Sequence, residues 1–427
     1  MMVRIATILI GIIALVVLVF PEFATTAIGA ATAGFIQVFG ETVLWLSSLF
    51  LLLCLFLVVG PWGRLRLGSE SERPEFSTFS WLSMLFAAGM GSGLVFWGVA
   101  EPLYHTAQSP LPGLTGLELF GTAMAVTYFH WGLHAWALYA ISGLVIAWFS
   151  YRLGAAEAPS GVLESGLDGW VSPGWRAGLG LTANIFAIAA VVFGVAGALA
   201  NGTILLDHGL DEASGTSLPD GASYVLILAS MGIAFLTSAS SGIQRGILWL
   251  SNINVVLALV LLILVLWHAD SGMILELLWK GMRRYAEILP TWSVRRLVVD
   301  GNLDWSTGWT ITYLLWWIAW TPFVGIFIAR ISRGRSLRSY ILGVVGVPVL
   351  FTLVWFAVMG GGALAYDAAH GGVLLDAVQK DYTAPLFLWF SGMQGGVALS
   401  YLACLLLFVV LVTSADSAAY VMGMLSR

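Results

Sequence analysis

Charged residues are scarce in this sequence. Only 10% of the residues are Asp, Glu, Lys or Arg, whereas a soluble domain carries about 25%. Cysteine is scarcer still, with two residues in the chain, which excludes a disulfide framework. Cys54 and Cys404 both fall in hydrophobic segments, so we expect them to be small, unpaired core residues. Nothing in the net charge of −5 suggests nucleic-acid binding.

Hydrophobic residues, in contrast, make up 59% of the chain, and the mean hydropathy is +0.92. At roughly 20 apolar residues per membrane crossing, the sequence predicts about ten helical spans. The first hydrophobic segment lacks a cleavage site and is expected to be a retained helix. No linker is long enough for a separate soluble domain, so residues 1–427 form one membrane domain. We place the spans near residues 3–22, 42–60, 79–99, 121–149, 177–200, 222–239, 246–267, 307–329, 339–360 and 397–424.

The basic residues predict the orientation of the spans. With a cytoplasmic N-terminus, about two-thirds of the 18 Lys and Arg residues fall in cytoplasmic segments. Most of the others fall in the long connection 269–306, where the rule has little weight. Residues 273–285 of that connection alternate apolar and charged side chains. They predict either an amphipathic helix at the outer interface or an ordinary charged loop.

A cluster of aromatic residues in the eighth span indicates a class of ligand. Trp316 and Trp320 are four residues apart on one helical face, with Trp317 beside them and Phe323 after them. The face of an indole ring attracts cations, so such a cluster around a cavity can hold a cation without a carboxylate. A methylated ammonium suits this site best because it cannot donate strong hydrogen bonds.

The third span contains three glycines in five residues, Gly89, Gly91 and Gly93, with Ser92 among them. Each glycine costs roughly 1 kcal/mol in a helix relative to alanine. A helix broken at this depth exposes backbone groups that can hold an anionic substrate end or a sodium ion. Close packing of neighbouring helices through small residues is the alternative.

Two further spans carry polar or aromatic candidates. In the fourth span, Trp131, Trp136 and Tyr139 lie too deep to be interfacial anchors, and His130 and His134 either shuttle protons or hydrogen-bond neighbouring helices. In the tenth span, the hydroxyls of residues 413–417 (TSADS) either bond back to their own helix or coordinate an alkali cation. For the intramembrane Asp416 we favour a structural hydrogen-bonding role over a functional one.

These stretches together resemble the betaine/carnitine/choline transporter family. The resemblance rests on residues 87–102 (AAGMGSGLVFWGVAEP), 130–140 (HWGLHAWALYA), 316–335 (WWIAWTPFVGIFIARISRGR) and 413–417. It implies a LeuT-like five-plus-five inverted repeat, with two peripheral helices (1–60), a first repeat (79–267), the external connection with its interfacial helix (269–306) and a partial second repeat (307–427). The family pattern has two more helices after the tenth span, so the resemblance implies an incomplete second repeat. Either the sequence is a fragment of a longer protein, which we favour, or the transporter is unusually short. Relatives with this fold often form homotrimers.

The resemblance also assigns roles to residues. It implies that Trp131, Trp136, Tyr139 and Trp317 form a cation box, that Trp316, Trp320 and Phe323 line the same pathway, and that Gly89, Gly91, Ser92 and Gly93 face the substrate. It places a sodium site on the carbonyls of Ala87 and Met90 and the hydroxyls of Thr413 and Ser414.

Departures from the family pattern bear on ion coupling. Val191 and Val195 stand where sodium symporters of the family can carry threonines for a second sodium ion, which makes that site doubtful. Gly93 stands where proton-driven relatives often carry an aspartate, which favours sodium. Span five has no arginine past Arg176, so sodium-independent exchange is less favoured.

The sequence therefore predicts a transporter that imports a quaternary ammonium or related onium osmolyte, most simply glycine betaine, by sodium symport for osmoprotection. Proton-coupled transport of choline or betaine and sodium-independent carnitine-type exchange are the alternatives. A membrane onium sensor is the alternative from another class of protein. No enzyme is expected, because the sequence shows no metal-ligand cluster, no nucleophile elbow and no phosphate-binding loop. No cofactor is expected other than sodium as the coupling ion.

Overall fold

The computed structural model describes residues 2–89, 91–219, 221–241, 246–301 and 303–426. Within these ranges the regular structure is helical, apart from one isolated bridge between Arg66 and Ser336. The helices in chain order are α1 (Met2–Val19), α2 (Pro21–Val59), α3 (Thr78–Gly89), α4 (Gly93–Ala107), α5 (Gly116–Trp131), α6 (Leu133–Leu153), α7 (Pro159–Gly166), α8 (Pro173–Ser214), α9 (Ala222–Ser241), α10 (Gly246–His268), α11 (Ser271–Trp292), α12 (Asp304–Ile331), α13 (Leu337–Ala369), α14 (Val373–Lys380), α15 (Ala384–Ser391) and α16 (Gly396–Leu425).

The described part of the chain contains 9 helices that are long and apolar enough to cross a membrane, with α5 and α6 counted together, or up to 10 if α3 and α4 count as one bent span. The prediction of an all-α integral membrane protein is confirmed. The helix α2 is longer than the predicted span 42–60, because the chain has no proline between Pro21 at its start and Pro61 just after its end. Cys54 and Cys404 are buried and free, as expected.

Two breaks in the helices shape the centre of the bundle. The helix α3 ends at Gly89, α4 begins at Gly93, and their axes differ by 63°. Gly91, with a φ of 53°, adopts the left-handed conformation that favours glycine. The second break, between α5 and α6 at Gly132, interrupts the single span predicted over 121–149. A Cβ atom at Gly132 would lie 2.3 Å from the carbonyl oxygen of Tyr128, so only glycine fits there.

The helix α11 occupies the connection where an amphipathic helix or a charged loop was predicted. It extends to Trp292, beyond the predicted end at Tyr285, and buries Ile274, Leu277 and Gly281 on one side. The Tyr285 hydroxyl accepts a hydrogen bond of 3.1 Å from the Leu133 amide, the first residue after the break at Gly132. The position of α11 relative to a membrane, the repeat boundaries and the homotrimer stay predictions.

One end of the bundle is held by a buried arginine in the connection between α12 and α13. The Arg335 guanidinium lies 3.9 Å from the ring centroid of Trp81 and donates a hydrogen bond of 3.0 Å to the Phe76 carbonyl. Trp81 in turn donates to the Ser332 hydroxyl at 2.9 Å. These contacts join the start of α3 to the connection after α12. The helices α3 and α12 also carry the candidate site.

Candidate functional site

The broken helix and the aromatic segment of α12 meet around a small cavity of about 40 Å³. This volume holds a water molecule or two rather than an onium compound, so the side chains must separate to admit one. The cavity is lined by Ala88, Gly89, Gly91, Ser92, Gly93, Trp131, Tyr139, Ala198, Trp316, Trp317, Trp320 and Ser414. The structure thus brings together most of the residues that the resemblance assigns to the substrate.

The Trp317 ring stands nearly perpendicular to two other aromatic rings at the cavity, those of Trp131 and Tyr139. The Trp317 ring centroid lies 5.4 Å from that of Trp131, at an interplanar angle of 88°, and 5.3 Å from that of Tyr139, at 75°. The Trp317 indole donates a hydrogen bond of 2.9 Å to the His130 carbonyl, which fixes its orientation. Rings arranged in this way present both faces and edges to a cavity, and the faces can receive a cation.

Two predicted box residues lie behind this lining. Trp136 is fully buried on α6, packed edge-on against Tyr139 with ring centroids 5.7 Å apart. A Cβ atom at Gly89 would lie 2.7 Å from the Trp136 ring, so glycine is needed for this close approach. Phe323 is also buried and packs against Trp320, with ring centroids 5.6 Å apart. Both residues support the lining from the second layer, and their predicted contact with substrate stays a prediction.

A second cavity of about 660 Å³ adjoins the first and shares Ser92, Gly93 and Trp316 with it. Its far end is lined by Asp381, Tyr382 and Thr383, in the connection between α14 and α15. Partial burial opposes ionisation of Asp381, but hydrogen bonds from the Thr383 amide and hydroxyl and the nearby His208 outweigh it and lower the pKa of Asp381. A carboxylate at the rim of an aromatic cavity attracts cations toward it.

The predicted sodium ligands come from α3 and α16. The Ser414 hydroxyl lies 3.4 Å from the Ala87 carbonyl oxygen. Ala87 is in the last turn of α3, where carbonyl groups lack intrahelical partners. Thr413 precedes Ser414 in the sequence, and its hydroxyl bonds the Val409 carbonyl at 2.6 Å and accepts from Asn254 at 3.0 Å. These oxygens are of the type that sodium requires. Met90 lies outside the described residues.

Asp416 is buried and accepts a hydrogen bond from Ser238. The hydroxyls of Ser48 and Ser293 each lie 3.1 Å from Nε2 of His134. These contacts agree with the structural roles that the sequence favoured for Asp416 and His134. The other histidine of that segment, His130, has a different neighbour, Glu101.

Glu101 and His105 were missed from the sequence, which had singled out only their partners His130 and Trp131. The third span was expected to end at residue 99, ahead of Glu101 and Pro102, but α4 continues to Ala107 with the proline inside it. Pro102 packs against Gly360, where a Cβ atom would lie 2.5 Å from the proline ring. The spacing of Glu101 and His105, four residues apart, was the available signal, since it puts both ionisable groups on one face of a membrane helix.

The carboxylate of Glu101 is hydrogen-bonded directly to Trp131 of the predicted cation box. Its Oε2 atom accepts hydrogen bonds of 2.7 Å from the Trp131 indole and 2.5 Å from the Tyr313 hydroxyl. Its Oε1 atom accepts a hydrogen bond of 2.7 Å from His130 Nδ1. Trp131 therefore presents one edge to a buried carboxylate and contacts the cavity with the rest of its ring.

Comparison with known proteins shows the family of the chain. The family model described as "BCCT, betaine/carnitine/choline family transporter" matches residues 1–427. The chain is 39% identical to the glycine betaine transporter OpuD of Bacillus subtilis (strain 168) over 388 residues, which cover 90% of this chain and 74% of that protein. It is 36% identical to an ectoine/hydroxyectoine transporter of Virgibacillus pantothenticus (91% of this chain, 76% of the relative). It is 33% identical to the high-affinity choline transport protein of Escherichia coli (strain K12) (97% and 61%).

Proposed function

Because the chain belongs to the betaine/carnitine/choline transporter family, we propose that it imports a zwitterionic onium osmolyte by sodium symport, with glycine betaine as the first candidate. The protein is a multi-pass membrane transporter and not an enzyme. The names of its relatives, which include transporters of glycine betaine, choline and ectoine, support this class of substrate. The positive-inside pattern supports a cytoplasmic N-terminus, and an importer of osmolytes is expected to lie in the cytoplasmic membrane.

The aromatic lining is the observation that carries the proposal. Trp131, Tyr139 and Trp317 surround one cavity with the Trp317 ring nearly perpendicular to the other two, and no lysine or arginine lines that cavity in the described residues. Each good cation–π contact contributes about 0.5–2 kcal/mol, so three contacts together contribute about 1.5–6 kcal/mol to binding of a methylated ammonium. Aromatic rings cannot satisfy the N–H groups of an ordinary amine, which therefore loses more on leaving water.

The broken helix supports binding of the anionic end of the substrate. The helix α4 has 15 residues and begins at Gly93, which lines the same cavity as the aromatic rings. Its first amides lack intrahelical acceptors, and the helix dipole favours negative charge at this end. A zwitterion with its onium head among the rings and its carboxylate at the start of α4 satisfies both ends of the cavity.

The polar groups at α3 and α16 support sodium as the coupling ion. Ser414 lines the substrate cavity and also lies next to the Ala87 carbonyl, so an ion held by these oxygens would be adjacent to the broken helix. Sodium bound there would hold α3 and α16 together and fix the end of α3 from which the substrate cavity is built. Binding of substrate and ion would in this way favour each other.

A binding panel tests the substrate class. Calorimetry on the purified protein in sodium buffer is expected to detect glycine betaine, and unmethylated glycine serves as the control because it keeps the carboxylate but has hydrogen-bonding N–H groups. We expect betaine binding at least tenfold tighter than glycine, and weaker in potassium than in sodium. Equal affinity for glycine and glycine betaine would contradict the aromatic box as the selecting element.

A further inference from the structure

We propose that Glu101, His105 and His130 form a proton-binding site behind Trp131, and that uptake of a proton there weakens binding of the onium head. The proposal rests on the proposed function in one respect, since it takes the aromatic box as the onium site. It goes beyond that function by adding a second ligand, the proton, whose binding opposes that of the substrate.

The first argument is the burial of an acid with titratable partners. Glu101 and His105 have no exposed surface and His130 is 3% exposed. A buried carboxylate needs compensating charge or hydrogen bonds. The ionisable groups that act on Glu101 in the described residues are the two histidines and the Tyr313 hydroxyl, with no lysine or arginine among them. Its charge can therefore be neutralised from within the site only by a proton.

The second argument is the state of His105. Its Nε2 atom lies 3.4 Å from Glu101 Oε1, yet neither of its ring nitrogens makes a hydrogen bond with the described residues. The ring is enclosed by those of Trp305 and Trp309, with centroids 5.7 and 4.5 Å away. A proton taken up at Nε2 would face the carboxylate and give this nitrogen a partner. His130, in contrast, already donates through Nδ1 and has Thr310 Oγ1 3.3 Å from Nε2.

A proton suits this site better than a metal ion. The ligand atoms of the three residues lie within 4.8 Å of one another. However, both oxygens of Glu101 already accept hydrogen bonds from Trp131, Tyr313 and His130, which a metal ion would have to displace. A proton on His105 displaces none of these bonds.

Neighbouring elements carry further titratable and charged groups. The helix α12 begins with Asp304, one residue before Trp305, and the Arg296 guanidinium donates to the Thr307 hydroxyl of the same helix. On α4 itself the nearest further titratable group is Tyr104, whose ring centroid lies 6.1 Å from that of His105. The helices α13 and α14 also pack on α4. There Asp367 accepts the Leu374 amide, and Asp376 and Lys380 are exposed. On α5, Glu118 pairs with Lys280 of α11 at 2.9 Å, at the exposed end of the helix.

The link to substrate runs through Trp131. With His105 neutral, the site carries one negative charge, and the Trp131 indole donates to that charge while contacting the substrate cavity. A carboxylate at the edge of the indole attracts a cation on its face. Uptake of one proton by His105 brings the charge of the site from −1 to zero and removes this attraction. A unit charge within about 12 Å of the bound cation, at an effective dielectric constant of about 20, corresponds to tenfold or more in affinity.

Linkage then fixes the sign of the effect. If a bound proton lowers the affinity for the onium head, a bound onium head must lower the affinity for the proton by the same factor. Binding of glycine betaine is thus expected to release up to one proton, and its affinity is expected to rise with pH. A proton symporter requires the opposite sign at its coupling site, since there the proton must favour the substrate.

Calorimetry in saturating sodium between pH 5.5 and 8.5 tests the proposal. For the wild-type protein, we expect the dissociation constant for glycine betaine to be about tenfold lower at the alkaline end. The variant His105→Gln is expected to lose this pH dependence. The variant Glu101→Gln is expected to bind weakly at every pH, near the acidic wild-type value. The control His134→Gln alters a buried histidine outside the site and is expected to keep the wild-type profile. A pH-independent wild type, or a His105→Gln variant that titrates like the wild type, would overturn the proposal.

Two readouts on the wild-type protein guard against variants that fail to fold and against a wrong substrate. Titration in buffers of different ionisation enthalpy measures proton release on betaine binding directly, and proton uptake or no exchange would contradict the proposal. Infrared difference spectra of ligand-free protein between pH 5.5 and 8.5 need no substrate, and we expect histidine bands from His105 that are lost in His105→Gln. With those bands present and no betaine bound at any pH, the substrate proposal fails and the proton site stands.

Discussion

Replacement of Trp317 by alanine is the most direct perturbation of the proposed cation box. Trp317 is 4% exposed, and its ring lies within 5.4 Å of both Trp131 and Tyr139, measured between centroids. The variant removes one cation–π contact of about 0.5–2 kcal/mol. It also leaves the His130 carbonyl without its donor, which costs about 1–3 kcal/mol in a buried site. We therefore expect substrate affinity to fall by about two- to thirtyfold from the first effect alone.

The second effect can be separated with Trp317→Phe. Phenylalanine keeps an aromatic face but cannot donate to the His130 carbonyl, so this variant is expected to retain most of the affinity and to lose thermal stability. The control is Trp389→Phe, because Trp389 is fully buried, lies outside the cavity lining and has no hydrogen-bond partner for its indole nitrogen in the described residues.

The assay is equilibrium binding of radiolabelled glycine betaine to monodisperse, detergent-purified protein in sodium buffer. The expected order of affinity is wild type equal to Trp389→Phe, then Trp317→Phe, then Trp317→Ala. A folded Trp317→Ala variant that binds as tightly as the wild type would refute the assignment of Trp317 to the box.

Three further substitutions test other parts of the structure. Ser414→Ala removes an oxygen next to the Ala87 carbonyl, and we expect the sodium concentration for half-maximal uptake to rise about fivefold. The control is Ser417→Ala, which alters another buried serine of the same helix. An unchanged sodium dependence in Ser414→Ala would contradict the sodium site. Gly89→Ala places a Cβ atom 2.7 Å from the Trp136 ring, so we expect betaine affinity to fall about tenfold. The control Gly11→Ala, whose Cβ atom meets no atom within 4 Å, should bind betaine normally. Equal binding by both variants would show that the close approach at Gly89 is dispensable. Arg335→Lys loses the planar guanidinium that stacks on Trp81 and bonds the Phe76 carbonyl, so we expect its melting temperature to drop by several degrees. The control is Arg283→Lys, which alters an exposed arginine. Matched melting curves would mean that this end of the bundle is held by other contacts.

The number and type of the membrane helices could be predicted from the sequence because long apolar runs have few structural solutions in a bilayer. Breaks were harder to place. Three glycines in five residues marked the break between α3 and α4, where Gly91 needs its left-handed conformation. The break at Gly132 has one glycine and depends on the distant Tyr285 hydroxyl, which accepts the Leu133 amide. No local pattern encodes that contact.

Sequence reasoning found most residues of the cavity lining because tryptophans and glycines cluster in a few short segments. It could not distinguish the residues that line the cavity from those that pack behind the lining. Trp136 and Phe323 lie behind the lining because of how α6 and α12 pack, and this packing is a tertiary property. Glu101 was passed over because Pro102 normally ends a helix, whereas α4 continues past it to Ala107.

Uptake of radiolabelled glycine betaine into proteoliposomes is the most direct test of the central claim, sodium-coupled transport of an onium osmolyte. Vesicles would receive an inward sodium gradient, with potassium replacing sodium in matched samples and no pH gradient in either. We predict accumulation above the external concentration that requires sodium and collapses when an ionophore dissipates its gradient. Accumulation that is equal in sodium and potassium would contradict sodium coupling.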